Sequence, residues 1–196
     1  MKEQFISLLS QANCPQQDII IENLEKLGFF EAPASTKYHL ARKGGLAEHS
    51  VTVCRTALSM RETAIQQNPA LKEKLPLKSV ILAALLHDVC KAEIYKESLR
   101  NVKNDKTGVW EKVPYYDIDC SHFPIGHGEK SVIRLLLWGV KLNESEMLAI
   151  RWHMAAWDLP FQSHELMANL NAAKQKSPLV VLIQCADQTA SAVFED

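Results

Sequence analysis

"LAALLHDVCK", residues 82–91, sets a histidine and an aspartate side by side at the end of an apolar run. Val80 to Leu86 carry no polar side chain. The stretch therefore reads as a helix buried on every face, from Lys78 to about Cys90. An ionised carboxylate taken out of water is costly unless it is paired, hydrogen-bonded or bound to a metal. Asp88 thus needs partners as deeply placed as itself.

The chain supplies candidates. Three of the other six histidines also sit in or against an apolar helical pattern. His49 lies in "GGLAEHSVTVC", His127 in "FPIGHGEKSVIRLLL" and His153 in "LAIRWHMAA". Asp187, in "VVLIQCADQTA", is a carboxylate in the same setting. A lone histidine on an apolar face is usually a hydrogen-bonded core residue. Four such sites beside the His87–Asp88 pair would each need separate compensation, whereas one shared metal centre satisfies them together. Imidazole and carboxylate suit first-row divalent ions. Neighbours on a helix are about 100° apart, so His87 and Asp88 can reach one centre, with Asp88 free to bridge.

The order His49, His87-Asp88, His127, His153, Asp187, with "GGLAEHS", "LLHDVCK" and "CADQTAS" around it, resembles the HD-domain metal-dependent phosphohydrolase superfamily over roughly residues 38–190. Six ligand positions match its binuclear branch. The resemblance implies two divalent ions (Fe, Mn, Co, Ni or Mg). His49, His87, Asp88 and Asp187 would hold one, and Asp88 would bridge to a second held by His127 and His153. Two cations about 3.5–4 Å apart lower the pKa of a bridging water and clamp a phosphoryl oxygen. The expected activity is hydrolysis of a phosphate mono- or diester in a nucleotide or other small phosphorylated compound. By that resemblance Asp88 and Lys91 would carry the chemistry, with Lys91, one turn beyond His87, binding phosphate. A solvated lysine at a helix C-terminus is the plainer account of Lys91. Two other functions stay open: a di-iron oxygenase of the same superfamily, and a non-catalytic nucleotide-binding module.

The expected architecture is all-α, a mostly helical single domain over 1–196. Helices within residues 1–37 pack on a metal-binding core at 38–190. Amphipathic stretches at 2–12 and 17–29, then 46–67 and 128–140, read as helices. Asn143 with Glu146 forms a capping-box signature, and Ser177 followed by Pro178 reads as a cap and first helical residue. Residues 94–120, strand-like on either side of "NDKTG", read as an inserted β-hairpin.

Around the centre, Arg42 and Lys43 precede the His49 helix, Arg100 lies in the hairpin, and Trp157 follows His153 by one turn. These are the candidate substrate contacts, with Tyr115 and Tyr116 as further wall residues. His39 and His122 fall in loops, and His164 reads as a surface or capping residue. The net charge of −1 builds in no general attraction to nucleic acid or anionic membrane. No apolar run approaches about 18 residues, which argues against a membrane span. Five cysteines without a C-x-x-C pair fit a reducing cytoplasm, with Cys54, Cys90 and Cys185 as small buried hydrophobes.

Overall fold

The computed structural model describes residues 1–160 and 163–195. Its centre is the apolar run. Helix α5 (Leu77–Leu86) is buried from Ser79 to Leu86, as a stretch without polar side chains requires. Four helices surround it: α1 (Lys2–Gln11), α3 (Gly45–Gln67), α7 (Glu144–Trp152) and α9 (Pro178–Thr189). Phe5, Leu9, Ile20 and Leu24, from α1 and α2 (Gln17–Leu27), join the same apolar cluster. The remaining helices are the short α4 (Leu71–Lys74), α6 (His127–Leu137) and α8 (His164–Lys176). None among the described residues is long and apolar enough to cross a membrane.

Between α5 and α6 stands the hairpin. Strands β1 (Tyr95–Lys103) and β2 (Trp110–Ile118) pair antiparallel from Tyr95↔Ile118 to Lys103↔Trp110. The Asn104 side chain accepts from the Lys106 and Thr107 backbone N–H groups, and Gly108 at φ +70° completes the tip.

The structure departs from the sequence reading in four places. The expected helix over 78–90 stops at Leu86. His87 keeps helical backbone angles, Asp88 moves to φ −109°, ψ 19°, and a 3-10 turn follows over Val89–Glu93. That break brings both side chains to one interior point, with His87 Nε2 3.3 Å from Asp88 Oδ2. Secondly, Ser177 precedes α9 but its side chain caps nothing, although Pro178 opens the helix as expected and the Asn143–Glu146 capping box is present. Thirdly, α8 has so weak an apolar stripe, Leu170 and Ala173 alone being buried, that its periodicity is not readable. Lastly, Cys185 faces solvent while Cys14 is buried; all five thiols are free.

Two glycines set the approach of helices that matter below. A Cβ at Gly45 would fall 2.1 Å from Leu40 O, and one at Gly128 would fall 2.1 Å from Arg151 O. Backbone cannot yield as a side-chain tip can, so α6 lies this close to the end of α7 because residue 128 has no side chain. Gly128→Ala is expected to destabilise the protein by about 1–3 kcal/mol, in the range of overpacking changes. Urea denaturation measures that loss. An unchanged midpoint would mean that α6 has room to move.

Candidate metal centre

His87 and His153 occupy equivalent places, directly after the last residues of α5 and α7. Helix ends leave carbonyls without intrahelical partners. Each histidine uses one: Nδ1 of His87 donates to Ala84 O at 2.8 Å, and Nδ1 of His153 donates to Ile150 O at 2.7 Å. With Nδ1 protonated, each Nε2 lone pair faces inward, the arrangement that orients metal-binding imidazoles. Both helices also direct their negative dipole ends at this point, which favours a cation.

The other donors converge from separate elements. His49 lies in the second turn of α3, with Nδ1 2.9 Å from Glu195 Oε2. His127 is the first residue of α6, its Nδ1 3.5 Å from Cys90 Sγ. The two Asp88 oxygens divide these groups. Oδ1 lies 2.5 Å from His127 Nε2 and 3.3 Å from His153 Nε2. Oδ2 lies 3.3 Å from His87 Nε2 and 3.6 Å from His49 Nε2. Asp187 Oδ1 joins the second group, 3.2 Å from His49 Nε2 and 3.9 Å from His87 Nε2. Triads such as Asp88–His127–His153 and His49–His87–Asp88 place their donor atoms close enough to hold an ion. His153 Nε2 is buried beside Asp88 Oδ1, 3.3 Å away, and makes no hydrogen bond among the described residues, which leaves it open to an ion. The donor set therefore fits divalent cations.

No family model, curated protein sequence or solved structure matches this chain. The functional reading consequently stands on the residues themselves.

Charge at the centre is finely opposed. Burial raises Asp88, but Lys91, His87 and His127 outweigh it and hold the carboxyl well below its usual range. Burial likewise works against Asp187, and the hydrogen bond from His49 and the nearby His87 reverse it. The Lys91 ammonium, 2.7 Å from Asp88 Oδ2, is buried, yet Asp88, Tyr95 and Asp187 keep it charged above the ordinary lysine range. Burial lowers His127 and His39, whereas Asp187 and Glu195 overcome burial at His49 and lift it to about 9.

All six sequence-derived ligand positions thus meet at one interior point, with Lys91 beside them. A cleft of about 470 Å³ opens onto it, lined by His39, Lys91, His153, Trp157 and Asp187 among others. Trp157 is a largely exposed wall of that cleft. Arg42, Lys43 and Arg100 are elsewhere. They line a separate groove with Tyr115 and Tyr116, where Arg42 pairs with Glu48, Lys43 pairs with Glu31, and Arg100 stacks over Tyr115. Two residues at the centre have no role in the sequence reading. His39 packs its ring 5.0 Å from that of His49, and its place in the loop just before "GG" is the only hint in the sequence. Glu195 follows "SAVF" and carries no signal, since an acidic residue there reads as solvated surface.

These shifts set a pH dependence. His49, lifted from 6.5 to about 9, is an imidazolium at neutral pH in chelator-treated protein, and an ion on Nε2 must displace that proton. Manganese(II) binding should tighten as pH rises through this window and should release protons, read by calorimetry in buffers of different ionisation enthalpy. Without ion the sign is opposite. The contribution of His49 to stability is complete below pH 6.5 and is lost as pH rises through about 9. Thermal midpoints of loaded and chelated protein should diverge between these limits; parallel curves would place the ion away from His49.

Proposed function

We infer that the protein is a metal-dependent phosphohydrolase of the HD type, acting on a nucleotide or another small phosphorylated compound. One observation carries this reading. The two oxygens of a single buried carboxylate, Asp88, face two different histidine groups, with a charged lysine beside them on an open cleft. That arrangement suits a pair of cations bridged by Asp88. His49, His87, Asp88 and Asp187 would hold one, and Asp88, His127 and His153 the other. Bound there, divalent ions supply Lewis acidity toward a phosphoryl oxygen and acidify water at neutral pH.

The chain's own groups do the remaining work. Lys91 presents a fixed positive charge at the cleft floor, placed to take a non-bridging phosphoryl oxygen as negative charge builds up there. Cations held by Asp88 would share its charge, which would leave the Lys91 ammonium available to the substrate. His39, kept neutral by burial and by the neighbouring His49, lines the cleft beside Lys91. Trp157 offers an aromatic wall at the mouth, suited to a base or other flat group.

The test is hydrolysis of p-nitrophenyl phosphate, bis(p-nitrophenyl) phosphate and a nucleotide panel by protein loaded with Mn(II), Fe(II), Co(II) or Ni(II). Metal content is counted on the same samples. Phosphate or nitrophenol release at about two ions per chain is expected. Asp88→Asn should lose metal and activity together while staying folded. Lys91→Met should keep its metal and lose about 10²-fold in kcat, the order found when one transition-state donor is removed. Full activity in Asp88→Asn would overturn the mechanism. Oxygen uptake by the iron-loaded protein, without phosphate release, would replace hydrolysis with oxygenase chemistry on the same ligands.

A further inference from the structure

The three histidines that face Asp88 from α3, α5 and α7 solve one problem in two ways. Each needs an acceptor for its Nδ1 proton so that Nε2 points inward. His87 and His153 stand just past helix ends, where Ala84 O and Ile150 O are free to accept. His49 has no such recourse. It sits inside α3, five residues into a helix running Gly45–Gln67, where the carbonyls of the preceding turn are used by the helix itself. Its acceptor must come from a side chain.

That side chain is Glu195. Its carboxylate is almost fully buried, and Oε2 lies 2.9 Å from His49 Nδ1. It arrives on a π-helical turn, Ala190–Phe194, that continues α9 beyond Asp187. The wider turn is the kind of local departure that recurs at functional sites. The other nearby ring, His39, has its Nε2 4.0 Å from the same oxygen, outside hydrogen-bond reach. Glu195 Oε1 is buried with no hydrogen-bond partner among the described residues. A carboxylate is costly in such a place unless a cation is near. Through the imidazole of His49, an ion on Nε2 would add to the stabilisation of that carboxylate, because a carboxylate accepting from Nδ1 makes the opposite nitrogen more basic.

The geometry points to Glu195 as the positioning residue of the metal centre, fixing the tautomer and angle of His49 and strengthening it as a ligand. This rests on the metal-centre reading above. A third ion between His39, His49 and Glu195, whose donors also lie close together, is the rival account. It would require His49 to surrender its Nδ1 proton while Nε2 already serves the first ion, so the hydrogen bond is favoured.

The test uses the full chain as wild type, Glu195→Gln and Glu195→Ala. Cobalt(II) is titrated by its visible absorbance, and bound ions are counted by mass spectrometry. Gln retains an oxygen acceptor without the charge; Ala retains neither. Two ions should bind wild type. One of them should weaken about 10–100-fold in Glu195→Ala, the range seen when such outer partners are removed. The loss should be smaller in Glu195→Gln. In zinc-loaded protein, long-range nitrogen–proton spectra should show a protected His49 Nδ1 proton in wild type and Glu195→Gln, and not in Glu195→Ala. A merely structural role would change melting of the chelated protein without moving these two signals in that order. Unchanged cobalt affinity and an intact Nδ1 signal in Glu195→Ala would overturn the inference while leaving the two-ion centre standing. So would three ions in wild type and two in Glu195→Ala, which would make Glu195 a ligand. A wild type that binds no cobalt at all would bring down the metal centre and this inference with it.

Discussion

The rest of the structure is arranged around the burial of one carboxylate. Asp88 has 1% of its surface exposed, in the interior of a helical protein where a lone charge is costly. Its neighbours follow from that cost: four imidazoles, a lysine ammonium, and two helix ends turned toward it. The break at residues 87–88 belongs to the same constraint. The helix ends at Leu86, and at the passage into the 3-10 turn His87 Nε2 and Asp88 Oδ2 lie 3.3 Å apart at one focus.

Packing and chemistry share components here. Helix α5 is the most buried element, and its last turn supplies both core side chains and the carbonyl that orients His87. Helix α7 repeats the device with Ile150 and His153. Gly128 lets α6 meet α7 closely, which brings His127 to the shared aspartate. The centre is therefore held by rigid helices on most sides, and by the 3-10 turn and the segment after α9 on the others.

How much of this was legible depends on whether a residue's neighbours in sequence are also its neighbours in space. His87 and Asp88 stood out because seven apolar residues precede them, and His49, His127, His153 and Asp187 because their helical context is apolar. The helix end at Leu86 was hidden, since Val89 and Cys90 continue the apolar run and no glycine or proline marks the stop. Glu195 was hidden more thoroughly: its partner lies 146 residues away, and nothing in "FED" distinguishes it from solvated acid. Arg42 and Lys43 show the reverse. They adjoin the His49 helix in sequence, yet they pair with Glu48 and Glu31 along a different groove. The hairpin was legible from its turn chemistry, because Asn104 and Gly108 act locally.

The Lys91–Asp88 ion pair has a consequence for how the protein is assembled in the cell. A lysine within 2.7 Å gives the buried carboxylate a counter-charge carried by the chain itself. The polypeptide can then fold before any metal arrives, unlike small zinc domains in which the ion supplies the folding energy. A metal centre of this kind, completed after folding, would take its ion from whatever pool it meets. Its occupancy would then follow the supply of competing metals and their place in the Irving–Williams order, more than selection during folding.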